Sequence, residues 1–135
     1  MRRTLRFSSE TCNLAQMRAS VRLFLDDCGF EECTVELMVL ALDEACTNVI
    51  RHAYHHACKP MSLTMTRLRH TVRFQLRDYG RSCDPATIRS RDLADFRPGG
   101  LGVHIIQQAF DRVDYSPQPR GTRLTLEKNR PSAVC

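Results

Sequence analysis

Hydrophobic positions along this chain change period several times, and each change marks an element. Residues 10–28 carry Leu14, Met17, Val21, Phe24, Leu25 and Cys28 at helical spacing, with Gly29 as a stop just beyond. A second, longer helix is predicted over residues 31–56. Its apolar stripe is Met38, Leu42, Ala45, Val49 and Ala53, and Asp43, Thr47 and Arg51 fall on the side expected to face water. Strict alternation takes over in "MSLTMTRLR" (61–69) and "TVRFQLRD" (71–78), which read as neighbouring strands of an antiparallel hairpin. "TLRFS" (4–8) is a first strand. "RVDYS" (112–116) and "TRLTLEK" (122–128) are strands joined through "PQPRG", and "LGVHIIQQAF" (101–110) reads as a helix. Residues 80–99 are polar, with Pro85, Pro98 and arginines at 81, 89, 91 and 97. They form a loop of unusual length, with a short helical turn expected near 85–94, and long loops in small domains are often functional. The tail "NRPSAVC" is expected to be loose.

The order strand, two helices, two strands, long loop, helix, two strands predicts an α+β two-layer sandwich. Its sheet is expected to be mixed and mostly antiparallel, with the helices on one face. A length of 135 residues fits a single domain, 1–135, with one core. No apolar run approaches a membrane helix, so no membrane partner is expected. The two arginines in the opening "MRRTLRFSSETCN" precede no apolar stretch, which argues against a secretory signal and for a cytoplasmic location. Cysteines at 12, 28, 33, 46, 58, 83 and 135 are odd in number and scattered, without a CxxC pair, so free thiols are expected. Cys28 and Cys46 are expected to pack as small apolar residues. The net charge of +5 comes from arginines spread along the chain with few aromatics. That favours dispersed surface charge over a nucleic-acid partner, with some basic residues available to a phosphate-bearing ligand.

Four short stretches carry candidate chemistry. In "LALDEACTNVIRHAY" (40–54), Glu44, Asn48 and His52 stand one helical step apart, on the flank beneath Leu37 and Ala41. Side chains four apart are neighbours on a helix, so a carboxylate and an amide oxygen reach one point in space, as hard ligands for Mg²⁺ or a water. The plainer reading is a solvated flank with one Glu–Asn contact. In "FQLRDYG", Val72, Phe74, Leu76 and Asp78 share strand parity, so three inward apolar residues precede an inward carboxylate. Such a charge needs a partner, for instance the exocyclic amine of a ligand. Alternatively the strand has ended, with Asp78 starting a turn before Gly80. In "PGGLGVHII", Gly99, Gly100 and Gly102 open a helix, and helix N-termini with glycines accept phosphate closely. In "RGTRLTLEK", Thr122 shares parity with Leu124 and Leu126, which aims its hydroxyl inward.

Taken in order, Glu-x3-Asn on a helix, Asp-x-Gly after a strand, a long loop, a Gly-rich helix start and Gly-Thr before a last strand resemble the ATP-binding Bergerat fold of histidine kinases, gyrase and related ATPases. Within that superfamily, "DEACTNVIRHAY", "DYGRSCDP", "PGGLGVHII" and "GTRLTLEK" resemble the anti-sigma factor serine kinases, over residues 4 to 128. The resemblance implies ATP and Mg²⁺ as cofactors. It implies Glu44 as general base, Asn48 as Mg²⁺ ligand, and Asp78 as acceptor of the adenine amine with Thr122 assisting. Gly80 is implied to permit close approach beside the base, and Gly100 and Gly102 to bring backbone amides to phosphates. Residues 81–98 are implied to form a lid, with Cys83 near the nucleotide pocket. His52 also fits the family pattern "RHAY" and reads as structural.

The function so implied is serine/threonine protein kinase and anti-sigma factor. It transfers the γ-phosphate of ATP to an anti-anti-sigma protein of the STAS fold and holds a sigma factor, and a homodimer is plausible. A different class of function is a non-catalytic ATP- or ADP-binding switch module, against which the presence of both Glu44 and Asn48 weighs. A third is a histidine-kinase catalytic domain cut from its acceptor helices, which the short stretch before the second helix disfavours.

Overall fold

The computed structural model describes residues 1–54, 57–80 and 101–131. Strand β1 (Arg2–Ser8) leads into helix α1 (Cys12–Asp27) and helix α2 (Glu32–Asn48), which runs on through a π-helical turn, Val49–Ala53. The hairpin β2 (Pro60–Arg67) and β3 (Thr71–Asp78) follows, then helix α3 (Leu101–Ala109) and strands β4 (Arg112–Pro117) and β5 (Thr122–Asn129). The sheet order is β1-β2-β3-β5-β4. Among the described residues all its pairings are antiparallel, in keeping with the mostly antiparallel sheet expected from the sequence and without the parallel pair that a mixed sheet would contain. The hairpins β2–β3 and β4–β5 are antiparallel by their connection, and β1–β2 and β3–β5, whose connections carry helices, pair in the same sense.

The alternation in β2, β3 and β5 decides which face is covered. Met61, Leu63, Met65, Val72, Phe74, Leu76, Leu124 and Leu126 are buried beneath the helices, while their sequence neighbours on the other face are more open. Phe74 is the centre of this layer. Its ring meets Phe24 of α1 edge-on at 5.9 Å and Phe110, just past α3, at 5.8 Å, a geometry that aromatic quadrupoles favour. All six apolar positions predicted for α1 are buried. Gly29 sits past its end with φ 82°, where a left-handed residue stops a helix.

Helix α2 is covered on a broader arc than its predicted stripe: Val35, Val39, Ala41, Cys46 and Ile50 are buried beside Met38, Leu42 and Ala45. The reason is that α1 packs on one side of it and α3 on the other. Asp43 therefore does not simply face water. Its carboxylate accepts from Arg18 of α1 at 2.7 Å, and its side chain is 25% exposed. The predicted helix over 31–56 keeps α geometry only to Asn48. Beyond it the winding loosens, and the Tyr54 N–H bonds back five residues to Val49 O.

The described cysteines 12, 28, 33, 46 and 58 are free thiols, with Cys28 and Cys46 buried, and burial pushes the Cys46 thiol far up. No helix among the described residues is long and apolar enough to cross a membrane.

Candidate functional site

At the end of β3 the inward row Val72, Phe74, Leu76 continues into Asp78, whose residue is only 5% exposed. The carboxylate is not the beginning of a solvated turn. It stays in the ladder, opposite Met61 of β2 and Thr122 of β5. Its Oδ1 accepts the Gly80 N–H at 3.1 Å. Burial raises its pKa above the ordinary carboxylate range, against the opposing pull of the Gly80 N–H, the Arg77 charge and the Thr122 N–H. An ionised carboxylate offers about four acceptor positions, so two backbone donors leave capacity for another. Thr122 is buried beside it, as the parity of β5 predicts.

The corner that follows Asp78 is gripped from three directions. A Cβ on Gly80 would stand 2.7 Å from the Ala53 carbonyl oxygen, so this glycine is required by the π-helical turn itself. A Cβ on Gly121, which has φ 85°, would run into the Asp78 carbonyl oxygen. That same carbonyl accepts from the Arg77 guanidinium, which lies 4.4 Å from the Tyr79 ring centroid. The third grip is Tyr54, 2% exposed, whose hydroxyl accepts the Tyr79 N–H at 2.7 Å and donates to Pro60 O. Burial holds the Tyr54 phenol above its ordinary pKa, against the Tyr79 N–H, so it remains a donor. Sequence reasoning assigned Tyr54 no role. Its signal was the last letter of "RHAY", a polar-tipped aromatic at the end of an apolar helix face.

Glu44 and Asn48 stand on one flank of α2, partly exposed. The flank beside them is already committed: Asp43 to Arg18, and the Thr47 hydroxyl to the Asp43 carbonyl at 2.8 Å. Among the described residues, neither Glu44 nor Asn48 forms a side-chain hydrogen bond or ion pair, so the Glu–Asn contact of the plainer reading is not made. The ladder 44, 48, 52 runs down to Ala53, and Ala53 abuts Gly80. The buried Asp78, two residues before Gly80, thus lies next to the end of the same helical run that carries Glu44 and Asn48. His52 on the same ladder is exposed. Among the described residues no group of three His, Cys, Asp or Glu is placed to hold a metal, so a cation beside Asn48 needs oxygens from a ligand or water to complete its shell.

Gly102 lies in the first turn of α3, which packs along α2. Gly100, the lid expected over 81–98 with its arginines, and Cys83 lie outside the described residues.

A family model for the histidine kinase-like ATPase domain matches residues 7–128. The chain is 28% identical over 120 residues to the serine-protein kinase RsbW of Halalkalibacterium halodurans, covering 83% of this chain and 73% of that protein. It is 30% identical over 96 residues to the serine/threonine-protein kinase BtrW of Bordetella bronchiseptica, covering 66% of each. Against the RsbW of Bacillus cereus strain AH820 it is 26% identical and spans 58% of that protein's length. Among solved structures, the histidine kinase domain from the Erythrobacter litoralis EL346 blue-light activated histidine kinase superposes with a TM-score of 0.56 at 14% identity, covering 87% of this chain and 59% of that one. That likeness shows the fold.

Proposed function

The chain belongs to the histidine kinase-like ATPase domain family, and on that footing we propose that it is an ATP-dependent serine/threonine protein kinase acting in partner switching. In this reading it transfers the γ-phosphoryl group of ATP to a STAS-type anti-anti-sigma protein and, with nucleotide bound, holds a sigma factor. The kinase names of its relatives support the reaction class. The observation that carries the binding half is Asp78: a carboxylate 5% exposed, ending an apolar row, with acceptor capacity left over. Desolvating a carboxylate without a full set of partners is costly, and an amine donor from a ligand base completes the set.

The residues present fit both groups. Asp78 would accept from the amine of adenine, with Thr122, its partner across the β3–β5 ladder, assisting. Gly80 and Gly121 keep the surrounding backbone close, so the base would meet backbone and not side chains. Asn48 would hold Mg²⁺ through its amide oxygen. Bound Mg²⁺ would supply neutralisation of phosphate charge. Glu44, one helical step before Asn48 and uncommitted to any described side chain, is the base: its carboxylate takes the proton of the acceptor hydroxyl as the new O–P bond forms and the bond to the leaving ADP oxygen breaks. Phosphoryl transfer asks the protein mostly for positioning and charge complementarity, so this small set suffices. Gly100 and Gly102 would admit phosphate to the start of α3, and the arginines of 81–98 would meet phosphates or a protein partner.

The test is recovery of partners from the source cell with and without ATP, with phosphoserine or phosphothreonine mapped on whatever is recovered. Transfer to a recovered STAS protein supports the kinase reading. ATP-dependent partner exchange without transfer moves the assignment to a non-catalytic switch module.

A further inference from the structure

The β2–β3 ladder stops one rung early, and a side chain stands in the missing rung. Pairing runs from Arg67↔Val72 to Met61↔Asp78. Continued, it would set Pro60 opposite Tyr79. Pro60 is still a strand residue, since it pairs with Ser8 of β1, yet its carbonyl does not reach the Tyr79 amide. The Tyr54 hydroxyl bridges the two, accepting the Tyr79 N–H at 2.7 Å and donating to Pro60 O. The strands therefore part immediately after Asp78, held apart by the width of one phenol oxygen, with the Tyr79 N–H and the Pro60 carbonyl both satisfied.

The placement of that oxygen depends on the end of α2. The π-helical turn Val49–Ala53 ends with the Tyr54 N–H bonded to Val49 O, and the Tyr54 carbonyl accepts the Ala57 N–H at 2.8 Å. The chain after Tyr54 is tied on its other side by Ser9, whose hydroxyl donates to Ala57 O at 2.7 Å and accepts the Lys59 N–H at 2.9 Å. Tyr54 is fixed at its backbone, its ring is buried and its oxygen is doubly bonded. A residue with so few alternatives is a rigid reference for whatever it touches. What it touches is the peptide joining Asp78 to Tyr79, whose opposite end, the Asp78 carbonyl, accepts from Arg77 and lies against Gly121. Fixing that peptide plane fixes the Cα atoms of Asp78 and Tyr79, between which and Gly80 the short turn closes onto the Asp78 carboxylate.

We propose that Tyr54 is a positioning residue for nucleotide recognition: its hydroxyl replaces a ladder rung so that the strand end stays splayed and Asp78 stays aimed at the base. This role rests on the nucleotide reading of the site given above. Three positions carry it jointly, Tyr54, Gly80 and Asp78, and none of the contacts that place Tyr54 involves a side chain that chemistry requires.

Tyr54→Phe keeps the ring and removes only the oxygen. The experiment compares native protein, Tyr54→Phe and a distant core variant, Val21→Ala, in three measurements: ATP and GTP affinity, thermal unfolding, and amide exchange at Tyr79 and Gly80. In the native protein the Tyr79 amide is expected to be protected although it lies beyond the ladder. In Tyr54→Phe, ATP affinity is expected to fall about five- to tenfold, the order of one lost hydrogen-bonded contact, the ATP-over-GTP ratio to shrink, and exchange at Tyr79 to accelerate. Val21→Ala should lower the unfolding temperature and leave the ratio intact. An unchanged ratio in Tyr54→Phe, with stability lowered as in Val21→Ala, makes Tyr54 a core residue only and overturns the proposal. An unprotected Tyr79 amide in the native protein overturns it without reference to nucleotide. A native protein that does not prefer ATP removes the nucleotide reading, and this role with it, while the exchange data still report whether the rung exists.

Discussion

Asp78 faces Thr122 across the β3–β5 ladder, and both residues are buried at the end of a row that is otherwise apolar. A sheet that ends its core face on a carboxylate and a hydroxyl has left two polar groups where leucines would be more stabilising. The raised pKa of Asp78 states the same cost in another form, because it means the charged state is disfavoured by its surroundings. In a protein that binds nothing there, such a pair is a liability. In a nucleotide pocket it is a pair of selective acceptors kept dry until the ligand arrives.

That cost predicts a divided outcome for Asp78→Asn. The folded-state pKa of Asp78 lies above its unfolded value, so the unfolded chain releases this proton first as pH rises. Ionised Asp78 therefore opposes folding. The opposition is complete above the folded pKa and vanishes below the ordinary carboxylate range, near about 4. Asp78→Asn should raise the unfolding temperature of the ligand-free protein at pH 7, with the difference closing as pH falls below that range. The same variant should lose ATP affinity by about 10- to 100-fold, the scale of a hydrogen bond to a charged group, and lose preference over GTP. Unfolding at a series of pH values and titration with both nucleotides check the two halves. Native protein that binds ATP and GTP equally removes the adenine assignment.

The two glycines described with positive φ predict unequal costs. Gly29 has φ 82° with open space where a Cβ would stand, whereas Gly121 has φ 85° and a Cβ there would run into the Asp78 carbonyl oxygen. Gly29→Ala should cost only the left-handed penalty, about 1–2 kcal/mol. Gly121→Ala adds a backbone clash that moves β5 away from Asp78, and should both destabilise the protein further and weaken ATP binding. Denaturant unfolding of the two variants beside a nucleotide titration separates them. Equal losses of stability, with ATP binding intact in both, would contradict the close approach of Gly121 to the Asp78 corner.

Asp78 was legible because strand periodicity is strict. Once Val72, Phe74 and Leu76 are inward, the residue two further on is inward as long as the strand continues. Thr122 followed by the same rule. Glu44 and Asn48 were legible as a pair because helical spacing places them together whatever surrounds the helix. Asp43 was not, since its partner Arg18 lies on α1, and nothing local marks a pair 25 residues apart. The π-helical turn was not legible either: over five residues its period differs too little from 3.6 to change which apolar side chains fall inward. Tyr54 was hidden for a related reason. Its partners are backbone atoms of Pro60 and Tyr79, and backbone atoms carry no letter in a sequence.

Asn48→Ala should abolish the Mg²⁺-dependent part of nucleotide affinity together with activity. The Asn48 amide is partly exposed on α2, and no described side chain uses it. Its loss should leave folding close to unchanged, since surface substitutions usually move stability by about 0.5 kcal/mol or less. ATP titrations with Mg²⁺ and with EDTA give the measurement, on native protein and variant. If Mg²⁺ changes nothing in the native protein, Asn48 is not a metal ligand.

Glu44→Ala should separate binding from chemistry. The Glu44 carboxylate stands one helical step before Asn48 and on the opposite side of it from the Ala53–Gly80 contact. The adenine contacts assigned to Asp78 and Thr122 come from the sheet and not from this part of α2. Removing the carboxylate therefore leaves base recognition in place and takes away the acceptor for the hydroxyl proton. Loss of a general base costs about 10²–10⁴-fold in rate. The variant should bind Mg-ATP and its protein partners as the native protein does, and phosphorylate the proposed STAS-type acceptor slower by that factor. Single-turnover transfer from labelled ATP, run beside the nucleotide titration, measures both properties on one sample. Transfer at the native rate excludes Glu44 from catalysis. Slow transfer accompanied by an equal loss of ATP affinity places Glu44 in binding instead, because a group that acts only in the transition state lowers the rate while leaving the nucleotide complex intact.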